Sequence, residues 1–176
     1  AKNSHVFLSV TKEGKSAVFS SSGNQDCHVI LRGGKQPNYE SDNISRTGNL
    51  LSDARLNQSI MVDMSHGNSS KQYKKQLEVC KNLSQQLSLG ENRITGVMIE
   101  SNLVEGNQPA SDKANLQYGQ SITDACINWL DTQVCLNNLA EAGLRVIEGF
   151  NTNEVLVNPK KLAKVGFFEK LFHIFS

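Results

Sequence analysis

A chain of 176 residues is long enough for one domain with a real core and too short to close an eight-stranded α/β barrel, which takes about 250 residues. Its 18 basic and 17 acidic side chains nearly cancel, so composition gives no electrostatic reason to expect a nucleic-acid partner and points to a small ligand. Cys27, Cys80, Cys126 and Cys135 show neither the paired spacing of a zinc site nor the density of a disulfide scaffold, which favours a reducing, cytoplasmic setting. No run approaches the roughly 20 apolar residues that span a bilayer, and the opening AKNSHVFLSV lacks the charged n-region and apolar core of a signal peptide. A soluble protein with no membrane contact is expected. The chain starts at Ala1 and enters a strand-like pattern almost at once, which suggests that a segment once preceded it.

Two β-prone runs, residues 5–10 and 16–19, flank Lys12-Glu13-Gly14-Lys15 and read as a hairpin. Three segments follow in which an apolar strand precedes a polar connection and a helix. The first strand, 27–31, stops at Arg32-Gly33-Gly34 and leads to a helical stretch over 41–55. The second, 59–64, stops at Ser65-His66-Gly67-Asn68 and leads to a helix over 71–87. There Tyr73, Leu77, Cys80, Leu83 and Leu87 recur at helical spacing, opposite Lys74, Lys75, Glu78 and Lys81. Gly90 is placed to end it. The third strand, 94–99, ends at Glu100-Ser101-Asn102, and a long polar loop then runs to Ser121-Ile122-Thr123-Asp124 and a helix over 125–139. Nearly continuous apolar strands alternating with helices predict an α/β fold with a parallel sheet covered by helices.

In such repeats the chemistry belongs at the C-terminal ends of the strands, where side chains converge and the loops are free to carry function. Arg32 ends the first strand, His66 follows the second, Glu100 ends the third, and Asp124 precedes the last helix. A His, a Glu and an Asp on one face make a mixed nitrogen and oxygen donor set suited to Mn²⁺, Fe²⁺ or Zn²⁺ more than to Ca²⁺. Arg32 beside two glycines offers a planar fork to a phosphate or carboxylate. Spacing alone leaves each residue a second reading: His66 as a hydrogen-bonded loop residue, Asp124 as a helix cap, Glu100 as a solvated strand end, and Arg32 as part of a turn.

The strings HVILRGGKQPNY (28–39), VDMSHGNSSKQYKKQLEVC (62–80), GVMIESNLVEGNQ (96–108) and YGQSITDACINW (118–129) resemble, in order and spacing, the signature segments of type I 3-deoxy-D-arabino-heptulosonate-7-phosphate (DAHP) synthases. The resemblance runs from about His5 to about Ala142. It implies a (β/α)8 barrel that condenses phosphoenolpyruvate with erythrose 4-phosphate, the first step of the shikimate pathway to aromatic amino acids, and a homo-oligomer in the full-length enzyme. It implies that His66, Glu100 and Asp124 bind the divalent metal and that Arg32 grips the phosphate of phosphoenolpyruvate. In this family the metal polarises the aldehyde oxygen of the sugar phosphate for attack by the other substrate. His66 and Asp124 thereby become catalytic, and Asp124 also contacts the sugar phosphate. The hairpin resembles the family's effector region, so Phe7, Ser9 and Phe19 match positions lining a pocket for an aromatic amino acid, against an alternative reading as ordinary hairpin packing.

Three departures limit the match. The family's fourth metal ligand is a cysteine of the first βα segment, and none of the four cysteines here lies there; buried thiols are their default. Leu130 stands where the family usually has a glutamate. Residues 149–176 match nothing in the family: Asn158-Pro159 can start a helix whose Leu162, Val165, Phe168, Phe172 and Phe175 oppose Lys160, Lys161 and Lys164. Packing on its own subunit, or a disordered addition, suits this tail better than a membrane surface. The organisation expected is thus 1–148 as the C-terminal part of a DAHP synthase barrel, about three βα units preceded by a hairpin, followed by the 149–176 tail. The function expected is the synthase reaction, with the isolated chain inactive; the alternative is a truncated, inactive paralogue serving as a binding or structural module.

Overall fold

Each apolar run ends in a polar loop that turns into a helix and brings the next run back beside it, as the alternation requires. The computed structural model describes residues 1–111 and 113–145; the helix expected in the tail lies outside the described residues. Strands β1 (His5–Val10) and β2 (Ser16–Ser21) pair antiparallel as a hairpin. Strands β3 (Val29–Leu31), β4 (Ile60–Asp63) and β5 (Ile94–Met98) form a parallel sheet in that spatial order. Helix α1 (Ser41–Asp53) connects β3 to β4 and helix α2 (Gln76–Ser88) connects β4 to β5. Helix α3 (Trp129–Arg145) packs along α2. Ile60, Val62 and Ile94 from the sheet meet Ile44 of α1, Val79, Cys80 and Leu83 of α2, and Cys135 and Leu139 of α3 in one core. Full burial of each such aliphatic side chain is worth about 1.5–3 kcal/mol. Among the described residues no helix is long and apolar enough to cross a membrane.

Three elements differ from expectation. Helix α2 begins at Gln76 rather than 71, because Ser70 and Lys71 hold left-handed φ values of 52° and 60° that a right-handed helix excludes. A single 3₁₀ turn, Tyr73–Lys75, leads into it. The buried stripe accordingly contains Gln76, Val79 and Gln86 beside Cys80, Leu83 and Leu87, while Leu77 is only half-buried. Helix α3 begins at Trp129 rather than 125: the Asn128 side-chain oxygen accepts the Asp131 N–H at 2.8 Å, so Asn128 is the cap and Asp124 is not. The long polar loop is also not structureless, since strand β6 (Val104–Asn107) pairs parallel with β7 (Gln120–Ser121). Of the four cysteines, all free, only Cys80 and Cys135 are buried; Cys27 and Cys126 are half-exposed.

At the C-terminal edge of the sheet the strands must leave with their last carbonyls satisfied. Buried Asn68 does this for two strands at once, donating from Nδ2 to Leu31 O at 3.0 Å and to Asp63 O at 2.7 Å. Its Oδ1 accepts the Asn38 N–H, and Asn38 Oδ1 in turn accepts the Gly33 N–H, both at 2.8 Å. This lacing presses the two loops together: a Cβ on Gly33, whose φ is +74°, would stand 2.5 Å from the backbone of Gly67 and Asn68. Gly33→Ala therefore meets both a strained dihedral and a backbone clash, at a cost on the order of 3 kcal/mol. Gly34→Ala, with nothing within 4 Å of its Cβ, is expected to be nearly neutral. Urea unfolding of the two variants checks this contrast; equal midpoints would show that the loops are not in close contact.

Candidate metal centre

His66, Glu100 and Asp124 come together beyond the C-terminal ends of β4 and β5, each offering a ligand atom within 4.8 Å of the others'. His66 Nε2 lies 3.4 Å from Glu100 Oε1 and 4.0 Å from Asp124 Oδ2. Donors about 2.1 Å from a shared cation stand roughly 3–4 Å apart, so the imidazole and two carboxylates fit a divalent ion with little closing. Without a cation the two carboxylates face one another as like charges, which is itself a reason for the site to favour one. The histidine and the glutamate are mostly buried, with side chains 22% and 21% exposed, whereas Asp124 is 75% exposed.

Each side chain is placed by a different local device. His66 sits in the left-handed region, with φ of 47°, a conformation costing a non-glycine residue about 1–2 kcal/mol. The loop holds it there: His66 O accepts the Lys71 N–H at 2.8 Å, and Arg32 O accepts the Gly67 N–H at 3.2 Å. Its ring is turned by Asp63, nearly fully buried, whose Oδ2 lies 2.8 Å from Nδ1. Glu100 is gripped along its backbone by fully buried Gln76, which donates from Nε2 to Glu100 O at 3.0 Å and accepts the Glu100 N–H at 2.8 Å. Its carboxylate accepts the Ser65 hydroxyl at 2.7 Å. Asp124 is carried by the small sheet: the flanking Cys126 exchanges two backbone hydrogen bonds with Gly106, and Thr123 O accepts from Asn107 Nδ2. None of the four thiols belongs to the cluster, and burial, with help from Glu100 and Asp124, pushes the neighbouring Cys126 thiol up and keeps it neutral.

The same residues line a cleft of about 390 Å³ with Arg32, Gly33, Gly34, Lys71 and Tyr73. Arg32 is 63% exposed and its Nε lies 3.6 Å from Asp63 Oδ2, so its fork reaches the cleft anchored at one end. Sequence reasoning placed His66, Glu100, Asp124 and Arg32 but missed Asp63, Ser65, Gln76 and Lys71. Asp63 and Ser65 had a signal, since both stand in the segment that contains His66. Phe7, Ser9 and Phe19 lie apart, on the hairpin, where Phe7 and Phe19 are register partners with rings stacked 5.9 Å apart. Ser9 shares their face by the two-residue period of the strand.

Parallel strands joined by helices, with a mixed nitrogen and oxygen cluster beyond their C-terminal ends, make this an α/β protein with a candidate divalent-metal site. Residues 1–137 match the sequence model of the DAHP synthetase I family, and the chain belongs to that family. It is 54% identical over 138 residues to the Phe-sensitive phospho-2-dehydro-3-deoxyheptonate aldolase of Escherichia coli K12, covering 78% of this chain and 39% of that protein. The Trp-sensitive counterpart from Salmonella typhimurium is 46% identical over 142 residues, covering 81% and 41%. The solved phospho-2-dehydro-3-deoxyheptonate aldolase of Francisella tularensis superposes with a TM-score of 0.77 at 44% identity, over 84% of this chain and 43% of that one. The chain thus spans about two-fifths of the length of the curated relatives it matches.

Because Gln76 bonds to both the N–H and the C=O of Glu100 from inside the core, Gln76→Leu leaves a part-buried N–H without its partner. A loss of roughly 1–3 kcal/mol is expected, read by urea unfolding, together with fast amide exchange at Glu100. Unchanged protection of that amide would mean that Gln76 does not hold the glutamate.

Proposed function

We propose that this chain carries the metal-binding and phosphoenolpyruvate-phosphate portion of a 3-deoxy-7-phosphoheptulonate synthase, which condenses phosphoenolpyruvate with erythrose 4-phosphate. The observation that carries the reading is the convergence of His66, Glu100 and Asp124 in a cleft that Arg32 also lines. His66, Glu100 and Asp124 are the residues that would hold Mn²⁺, Fe²⁺ or Zn²⁺. A divalent cation there supplies Lewis-acid polarisation of the sugar-phosphate aldehyde. Arg32 binds and orients the phosphate of phosphoenolpyruvate through a charge-assisted fork. Asp124, the most exposed of the three, is free to accept a hydroxyl of the second substrate.

The three parallel strands correspond in this reading to the last βα units of an eight-stranded barrel, with 1–148 as one body and 149–176 as an addition to it. β3 and β5 are edge strands of the sheet, and Ile30 of β3 is 52% exposed, as expected if further strands cover it. The hairpin supports two further assignments. One face, with Phe7, Ser9 and Phe19, would receive an aromatic amino acid, in keeping with the Phe- and Trp-sensitive relatives. The opposite face exposes Val6, Leu8 and Val18 by more than 70% each, an apolar patch fit for a second subunit in a homo-oligomer. Four free thiols accord with the cytoplasm.

Two outcomes test this reading. In the complete barrel enzyme, Arg32→Ala should raise the KM for phosphoenolpyruvate by about 10–100-fold, the equivalent of losing a charge-assisted bond of roughly 1.5–3 kcal/mol, and leave the KM for erythrose 4-phosphate nearly unchanged. Equal effects on both substrates would assign Arg32 a structural role. The 176-residue chain by itself should bind Mn²⁺ weakly in calorimetry and show no consumption of phosphoenolpyruvate, since it offers only three protein ligands, one of them on the exposed Asp124, and Arg32 as the one matched phosphate contact. Turnover by this chain alone, abolished by His66→Ala, would show that it builds a complete site, and silence that persists when the remaining barrel segments are supplied would favour the inactive binding module.

A further inference from the structure

Asp63 touches three functional elements at once. Its side chain is 3% exposed, its Oδ1 accepts the Ser65 N–H at 2.8 Å, and its Oδ2 lies 2.8 Å from His66 Nδ1 and 3.6 Å from Arg32 Nε. A neutral imidazole carries one proton, and the nitrogen that bears it cannot donate a lone pair to a cation. His66 Nδ1 faces Asp63 at hydrogen-bond distance, while Nε2 faces Glu100 and Asp124 at 3.4 and 4.0 Å. The shorter contact decides where the proton sits.

We propose that Asp63 is a positioning residue that holds His66 as the Nδ1–H tautomer, so that the Nε2 lone pair points between Glu100 and Asp124. The inference rests on the metal-centre reading above and adds to it the group that makes the histidine competent. Asp63 is suited to this because a carboxylate has acceptors on both oxygens and no donor. One oxygen is committed to the Ser65 backbone, which fixes the plane of the carboxylate, and the other is left for Nδ1. The arrangement is a carboxylate–histidine–metal relay of the kind that sets ring orientation and ligand basicity. It also ties the metal side of the cleft to the phosphate side, because the same oxygen pairs with the Arg32 guanidinium.

Asparagine at this position separates charge and shape from acceptor count. Its single oxygen is claimed by the Ser65 N–H, so its amide donors face Nδ1, which must then accept. The ring proton moves to Nε2, where Glu100 Oε1 stands ready to accept it, and the lone pair needed for a cation is lost. A residue that merely filled space would not move the proton.

The test is long-range ¹H–¹⁵N NMR of the histidine-labelled 176-residue chain, with the His66 ring assigned by its loss in His66→Ala, and a Mn²⁺ titration alongside. Mn²⁺ is chosen because it prefers nitrogen and oxygen donors over the four thiols. The wild-type ring in its neutral form is expected to carry its proton on Nδ1. In Asp63→Asn the proton shifts to Nε2 and Mn²⁺ affinity falls about 10–100-fold. A wild-type ring protonated on Nε2 overturns the proposal without any variant, so it stays testable if Asp63→Asn fails to fold; so does an unchanged tautomer in a folded Asp63→Asn. A wild-type chain with the Nδ1–H tautomer and no Mn²⁺ response would instead defeat the metal-centre reading and leave the positioning role of Asp63 standing.

Discussion

The side-chain amide of Asn68 closes the C-terminal edge of the sheet, and the candidate site depends on that closure. Parallel strands present slanted, evenly spaced bonding groups, and where the chain turns away the last carbonyls face a loop rather than a neighbour. Asn68 satisfies the ends of two adjacent strands together, at Leu31 and Asp63. The loop carrying Arg32 and the loop carrying His66 are thereby fixed to each other rather than merely adjacent. The left-handed φ of His66 is the strain that this fixation sustains, and strain of that kind persists only where the surroundings over-determine it.

What lies around the cluster is a set of buried polar groups each answering another. Asp63 serves Ser65 and His66, Ser65 serves Glu100, and Gln76 serves the Glu100 backbone. Buried polar networks stabilise only when every member is satisfied. This one is satisfied through hydrogen bonds that also aim the donor set, so folding and site geometry share the same contacts. The exposed Asp124 is the exception. It is held through the flanking Thr123 and Cys126, which bond to Asn107 and Gly106 of β6, and its carboxylate stays largely exposed.

The three parallel strands, the hairpin and the placing of Arg32, His66 and Glu100 at or just beyond strand ends, with Asp124 ahead of the last helix, were legible in the sequence, because apolar runs stop sharply where polar loops begin. The start of α2 was not. Lys71, Gln72 and Tyr73 fit a helical period, and only the tertiary demand for left-handed Ser70 and Lys71 delays the helix to Gln76. Val79, Gln76 and Gln86 were missed inside because two of them are polar, and a glutamine reads as wet until its partners, Glu100 and Tyr39 O, are known. The β6–β7 sheet was hidden by its composition: Val104-Glu105-Gly106-Asn107 has no apolar alternation, and polar side chains help hold it together, Gln108 bonding to the loop carbonyl of Gln117 and Gln120 of β7 to the Glu105 carbonyl of β6. Of the ligand roles, the resemblance supplied what spacing could not, since a lone histidine after a strand has many ordinary uses.

The central proposal is that His66 would supply the nitrogen ligand of a site whose other donors in this chain are carboxylate oxygens. Electron spin-echo envelope modulation of Mn²⁺ added to the chain reads this directly, because a coordinated imidazole nitrogen modulates the echo and oxygen ligands do not. The account predicts modulation from one imidazole that disappears in His66→Ala while the other three histidines remain. Modulation that survives His66→Ala, or none in the wild-type chain with Mn²⁺ bound, would contradict it.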